Sequence, residues 1–239
     1  MGNPGNPRIP VQPTPLRHRL AHLAKALNGK GPVTVVAIGS SSTAGEGDVA
    51  PYPQLLQEAL HEKYGERVTV ANKGVGGQEA ADELARFKTD VLDLKPQLVL
   101  WQVGTNAVWN GESPDRTVLS IWRGLDLLAE RPTDVVLMDP QYVPALLTAE
   151  RRELAQQMVS LIAEAAATAR TPVSVFRRFA MMRGWHEIEE ISFDQIVHDT
   201  DDKRLHQSAW ATRRLAAAVF QVIEQALEPP DTVPPAPVV

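Results

Sequence analysis

The chemistry-bearing residues of this chain gather where apolar runs end. Val33-Thr-Val-Val-Ala-Ile-Gly39 is followed at once by Ser40-Ser41-Ser42-Thr43-Ala44-Gly45-Glu46-Gly47. Small side chains there let the backbone turn sharply and leave a hydroxyl exposed. Two chemistries suit such a loop: a serine nucleophile at the carboxyl edge of a sheet, or backbone N–H groups cradling a phosphate. Acyl transfer needs a nucleophile, a base, and donors aimed where the oxyanion forms. Ser41 can be the nucleophile; its own N–H, an N–H of the loop Asn72–Gln78 and the Asn106 carboxamide are the candidate donors. The base is expected among six histidines. His206 is the best placed, because it precedes the last expected helix and so lies near the sheet edge; His198 is the second choice. Asp199, Asp201 and Asp202 are close enough in sequence to orient the His206 ring. His61 and His186 read as surface residues, as do His18 and His22, whose four-residue spacing has no third metal ligand nearby.

The elements that must position these residues follow from periodicity. The β-branched run from Val33 reads as a strand buried on both faces. Further strands are expected at Val68–Ala71, Gln97–Val103, Asp134–Met138 and Pro172–Phe176. Helical spacing appears in Arg17–Leu27, around Leu55 and Leu56, from Ala80 to Leu94, from Pro114 to Leu128, around Met158 and Leu161, and from Leu215 to Ala226. Ser113 and Pro114 have the types preferred at a helix start. Alternating strands and helices predict a three-layer α/β/α fold with a flavodoxin-like, five-stranded parallel sheet of order 2-1-3-4-5. Its switch point lies beside the first strand, so a ligand is expected at the carboxyl ends of strands one and three. The loops at Ser40, Gly74 and Gly104 all leave that edge. Arg177–Arg204 is expected to be less regular, with Trp185–Asp201 a lid over the site or a surface excursion. Met181, Met182 and Trp185 read as core, with the lining of an acyl pocket as the alternative.

Composition sets the outer bounds. The chain has 239 residues, enough to bury one sizeable core, with 44% apolar and 22% charged residues. Residues 16–227 are expected to form a single domain, between disordered proline-rich arms at 1–15 and 228–239. The net charge of -5 carries no basic block, which argues against nucleic acid as a partner. There is no cysteine, so thiolate and disulfide chemistry are excluded. No run approaches the roughly 18 apolar residues of a membrane span. Residues 1–15 lack the apolar core of a secretory signal, so a cytoplasmic location is expected, or a periplasmic or secreted one after trimming. Oligomeric state is left open by the sequence.

Four stretches together resemble the SGNH (GDSL-type) hydrolase family. Gly39-Ser40-Ser41-Ser42-Thr43-Ala44-Gly45 is similar to the block that carries the nucleophile, which the resemblance assigns to Ser41. Asn72-Lys73-Gly74-Val75-Gly76-Gly77 is similar to the second block and implies that the Gly77 N–H is an oxyanion donor. Gly104-Thr105-Asn106 matches the third and implies the Asn106 side chain as another. Leu205-His206 before a helix resembles the block that supplies the base. Two positions depart from the pattern. Ser40 stands where the family has Asp, which is expected to change loop hydrogen bonding. Lys203 stands three residues before His206, where the family has the orienting Asp. Asp202 is then the first candidate for that carboxylate, Asp201 the next, and a Ser–His dyad oriented by a backbone carbonyl is the third arrangement. The resemblance implies a serine esterase acting on small carboxylic esters through an acyl-enzyme, with no metal or organic cofactor. Two rivals remain. The serine loop also resembles the phosphate cradle of an FMN-binding flavodoxin, with Trp101 and Trp109 as the residues that would flank a flavin. The fold can also serve as a binding module without chemistry.

Overall fold

The computed structural model describes residues 10–228. Its centre is β1 (Val33–Gly39), in which every residue except Thr34 is buried. Parallel pairing joins it to β2 (Val68–Gly74) on one side and to β3 (Leu98–Gln102) on the other. β4 (Asp134–Met138) and β5 (Val173–Phe176) extend the sheet in the order 2-1-3-4-5. Valine and isoleucine predominate in β1 because a parallel strand covered on both faces has no solvent side on which to place polar groups. Val35, Val36 and Ile38 are wholly inaccessible, and each such burial contributes roughly 1.5–3 kcal/mol.

Helices form the outer layers. The chain runs through α1 (Ala21–Asn28), α2 (Ser41–Ala44), α3 (Tyr52–Tyr64), α4 (Ala80–Ala85) and α5 (Phe87–Asp90). It continues through α6 (Thr105–Asn110), α7 (Pro114–Leu128), α8 (Arg152–Ala167), α9 (Arg178–Glu187), α10 (Phe193–Ile196) and α11 (Ala209–Leu227). Helices α1, α3 and α11 pack on one another in one layer, and α4, α7 and α8 in the other. The α7 start is as the sequence indicated: Pro114 follows an N-cap Ser113 whose hydroxyl accepts from the Asp115 N–H. Ser208 caps α11 in the same way, accepting from Ala211 N.

Two expectations are corrected here. Residues 10–15 are not a free arm. Val11 N–H donates to Glu189, its side chain lies against Gly184, and Pro13 is buried. Proline content set the backbone extended, but an apolar side chain with a partner on α9 pins it. Residues 1–9 and 229–239 of the expected arms lie outside the described residues. The stretch 177–204 is more regular than its sequence suggested, since α9 and α10 occupy much of it. Trp185, Ile196 and Val197 are buried, and Val197 pairs with Gln207 across an antiparallel bridge. Residues 185–201 are therefore anchored into the body, not laid over it as a lid. Met181, Met182 and Trp185 belong to the core.

Candidate active site

β1 delivers the chain to Ser40, and Ser41 opens α2 directly at the carboxyl edge of the sheet, 8% exposed. From the far end of the sequence, the connection between α10 and α11 returns over the same edge. There His206 Nε2 lies 3.1 Å from Ser41 Oγ. On the other side of the ring, Asp201 Oδ2 lies 3.2 Å from Nδ1. The His206 and Asp201 side chains are 16% and 11% exposed, so both face each other in a partly water-excluded setting.

The carboxylate at the ring is that of Asp201, not Asp202, which is exposed. A compact turn explains the shift. Asp201 Oδ1 accepts from Lys203 N–H, while Oδ2 accepts from Leu205 N–H and His206 N–H at 2.6 Å each. Arg204 N–H closes the turn onto Asp201 O, and Arg204 takes a left-handed φ of 52°. Winding the backbone around one carboxylate uses five residues where an Asp-x-x-His spacing uses three. Burial alone would raise the Asp201 pKa; the N–H groups of His206 and Leu205 and the imidazole charge outweigh it and hold the carboxyl below its ordinary range.

The second loop runs beside Ser41, and the third is tied to the second. Val75 N–H donates to Gly39 O, and a Cβ on Gly76 would lie 3.9 Å from Ser41 Cβ. Gly74 is required by close approach: a Cβ there would lie 2.1 Å from the Ala44 nitrogen. Gly77 takes φ 79°. Asn106, in the first turn of α6, donates from Nδ2 to Gln78 O at 2.9 Å, tying the third loop to the second. An amide nitrogen carries two hydrogens, so that bond uses only one.

The family model of the non-GDSL lipase-like family matches residues 7–229. The chain belongs to that family. Among curated relatives, an acetylxylan esterase of Geobacillus stearothermophilus is 41% identical over 71 residues, 30% of this chain and 31% of that protein. An uncharacterized lipoprotein, YqeF, of Bacillus subtilis is 39% identical over 90 residues, 36% of this chain and 37% of that one. The matches thus span about a third of each curated relative's length. Among solved structures, a catalytic mutant of the Geobacillus stearothermophilus acetylxylan esterase Axe2 superposes with a TM-score of 0.66 at 21% identity, covering 81% of this chain and 95% of that one. A putative lipolytic protein of the G-D-S-L family from Desulfitobacterium hafniense gives 0.63 at 19% identity, covering 80% and 99%. These two likenesses establish the fold.

Within this lipase-like frame, several supporting residues were not singled out from the sequence. Gln102, the last residue of β3, accepts through Oε1 from Ser40 N–H and Ser40 Oγ at 3.0 Å each, and from Thr43 Oγ1 at 3.3 Å. The Ser40 hydroxyl thus occupies itself with Gln102, which is how the loop accommodates serine where the related pattern has Asp. Gln141 donates to Leu205 O, one residue before His206. Arg86 donates to Gly39 O and Gln78 Oε1 while paired with Asp90 at 2.6 Å. A glutamine ending the apolar run Leu98–Gln102 was a legible signal; the partners of Gln141 and Arg86 were not, because each depends on loops distant in sequence.

The remaining candidates fall elsewhere. His61 Nε2 meets Val68 O at 2.6 Å, and the His186 ring stacks on Phe193 with centroids 3.8 Å apart. The His198 ring lies between Asp48 Oδ1, 3.2 Å from Nε2, and Asp199 Oδ1, 3.3 Å from Nδ1, with Thr200 N–H donating to Nδ1. His18 and His22 lie at the opposite, amino end of the sheet: His18 precedes α1, His22 is in its first turn, and the adjacent Leu23 N–H bonds Asp134 at the start of β4. Among the described residues no group of three or more potential ligands could hold a metal ion. Trp101 is inaccessible, its Nε1 donating to Glu83 at 2.7 Å, and cannot face a flavin; Trp109 lies under the Arg151 guanidinium at 4.3 Å. No helix among the described residues is long and apolar enough to cross a membrane.

Proposed function

We propose that the protein is a serine esterase in which Ser41, His206 and Asp201 act together. The observation that carries this reading is the continuous line from Ser41 Oγ to His206 Nε2 at 3.1 Å and from Nδ1 to Asp201 Oδ2 at 3.2 Å. In this mechanism His206 takes the Ser41 proton as Oγ attacks the ester carbonyl. The tetrahedral oxyanion is held by the N–H groups of Ser41 and Gly77 and by the Asn106 amide. His206 then gives the proton to the departing alcohol, leaving an acyl-enzyme. Water, deprotonated by the same imidazole, attacks that acyl group and releases the acid, and the proton returns to Ser41. Asp201 holds the ring and stabilises its cationic form.

The acyl group is small in this reading. A recess of about 20 Å³ beside Ser41 and His206, walled by Val49, Ala50, Pro51 and Thr212, has room for one methyl-sized group. That size suits acetyl. Adjoining it, and sharing Glu46 and His206 with it, a cleft of about 240 Å³ is lined also by His198, Thr200, Asp201 and Lys203. Polar walls of that kind suit a hydroxylated alcohol, in keeping with the relative that acts on acetylated xylan. The test is hydrolysis of nitrophenyl acetate together with labelling by a fluorophosphonate. Ser41→Ala is expected to abolish both. Full activity in that variant, or label on Ser40 or Ser42, would refute the assignment.

A further inference from the structure

Glu46 takes no part in the acyl-transfer steps above, yet it stands beside the proposed reacting groups. Its Oε2 lies 3.8 Å from His206 Nε2, the nitrogen that faces Ser41. It lines both the methyl-sized recess and the polar cleft, as His206 does. Its backbone is held in place. Gly45 and Gly47 on either side take φ values of 97° and 59°, a backbone region that side chains rarely enter. Val49 N–H bonds back to Glu46 O at 3.2 Å, and Gly45 N–H bonds to Ser41 O at 2.9 Å. The carboxylate is therefore carried on a tight turn locked to the nucleophile helix, while its side chain remains 53% exposed to whatever enters the cleft.

We propose that Glu46 is a specificity-determining residue that accepts a hydrogen bond from a hydroxyl on the carbon next to the ester-bearing carbon of the alcohol. The assignment rests on the esterase reading above. General acid catalysis requires the leaving oxygen to come within about 3 Å of His206 Nε2. A carboxylate 3.8 Å from the same nitrogen is then within reach of a hydroxyl vicinal to that oxygen. Glu46 offers only acceptors, so it fits a free hydroxyl and opposes a second ester or an anionic substituent there. Asp48, Asp199 and Asp201 add negative charge around the same cleft; Lys203 and, when protonated, His198 and His206 are its cations. The alcohol selected is a neutral, partly acylated polyol.

The test compares kcat/KM for a monoacetylated pyranoside bearing a free hydroxyl next to the ester with its analogue lacking that hydroxyl. The parent is expected to favour the hydroxyl-bearing ester on the order of tenfold or more, as for a hydrogen bond to a charged group. In Glu46→Ala the ratio is expected to fall close to one, with Glu46→Gln between. An active parent that does not discriminate, or a ratio kept intact in Glu46→Ala, would overturn the inference. So would an equal fall on both esters, which would place Glu46 at the imidazole and not at the substrate. A parent inert on both, and unlabelled by fluorophosphonate, would instead sink the esterase reading itself, and this assignment with it.

Discussion

Replacing Asp201 with asparagine separates the two aspartates that the sequence left in competition. The change keeps the size of the side chain, and one oxygen remains to accept from Leu205 and His206 N–H. What is lost is the charge opposite Nδ1. In the proposed mechanism that charge matters most when His206 becomes an imidazolium, in the transition state, so the loss is expected in kcat more than in KM. At the observed 3.2 Å separation and an effective dielectric of about 20, the attraction between imidazolium and carboxylate is about 5 kcal/mol. At about 1.4 kcal/mol per decade this corresponds to a fall between about 10³-fold and 10⁴-fold. Steady-state hydrolysis of nitrophenyl acetate at neutral pH measures it, with thermal unfolding run beside it to confirm that the variant is folded. Asp202→Asn is the paired control; exposed and outside the turn's carboxylate contacts, it is expected to stay within about threefold of the parent. A larger loss in Asp202→Asn than in Asp201→Asn would refute the reasoning, as would an Asp201→Asn enzyme within tenfold of the parent.

Other perturbations probe the surrounding frame. Asn106→Ala removes one expected oxyanion donor and the tie to Gln78 O; a loss of about 10²–10³ in kcat is expected in the same assay, and unaltered kcat would remove Asn106 from the site. Gly74→Ala drives a Cβ to 2.1 Å from the Ala44 backbone, so calorimetry is expected to show a lower Tm, with kcat reduced because α2 must shift. Glu83 is fully buried against Trp101, and burial raises its pKa from 4.5 to about 8. The folded state therefore retains a proton that the unfolded chain has released between those values, and this group's contribution to stability declines as pH rises from about 4.5 to about 8. Glu83→Gln keeps an acceptor for the Trp101 N–H and is expected to flatten the fall of Tm between pH 5 and pH 9; an unchanged slope would count against the buried, protonated carboxyl.

Much of this architecture was legible along the chain because it is set by local pattern. The apolar, β-branched run of β1 reads as a strand covered on both faces, and five short apolar runs separated by amphipathic helices leave few topologies once crossovers are right-handed. Ser41 and Asn106 could be named for a related reason: they sit two and four residues past a strand, and strand ends in a parallel sheet share one edge. His206 was reachable through the helix that follows it. The carboxylate was not. Whether Asp201 or Asp202 faces the ring depends on how the backbone folds around one side chain, through N–H groups of Lys203, Leu205 and His206 and a left-handed Arg204. Spacing alone does not encode that turn. Glu46 was hidden for the same reason, since its nearness to His206 exists only once residues 160 positions apart in the chain meet at the sheet edge. Periodicity, which repeats along the chain, fixed the scaffold and its reactive rim; the pairing of charged groups across that rim was decided by loop geometry, where each contact depends on a fold already complete.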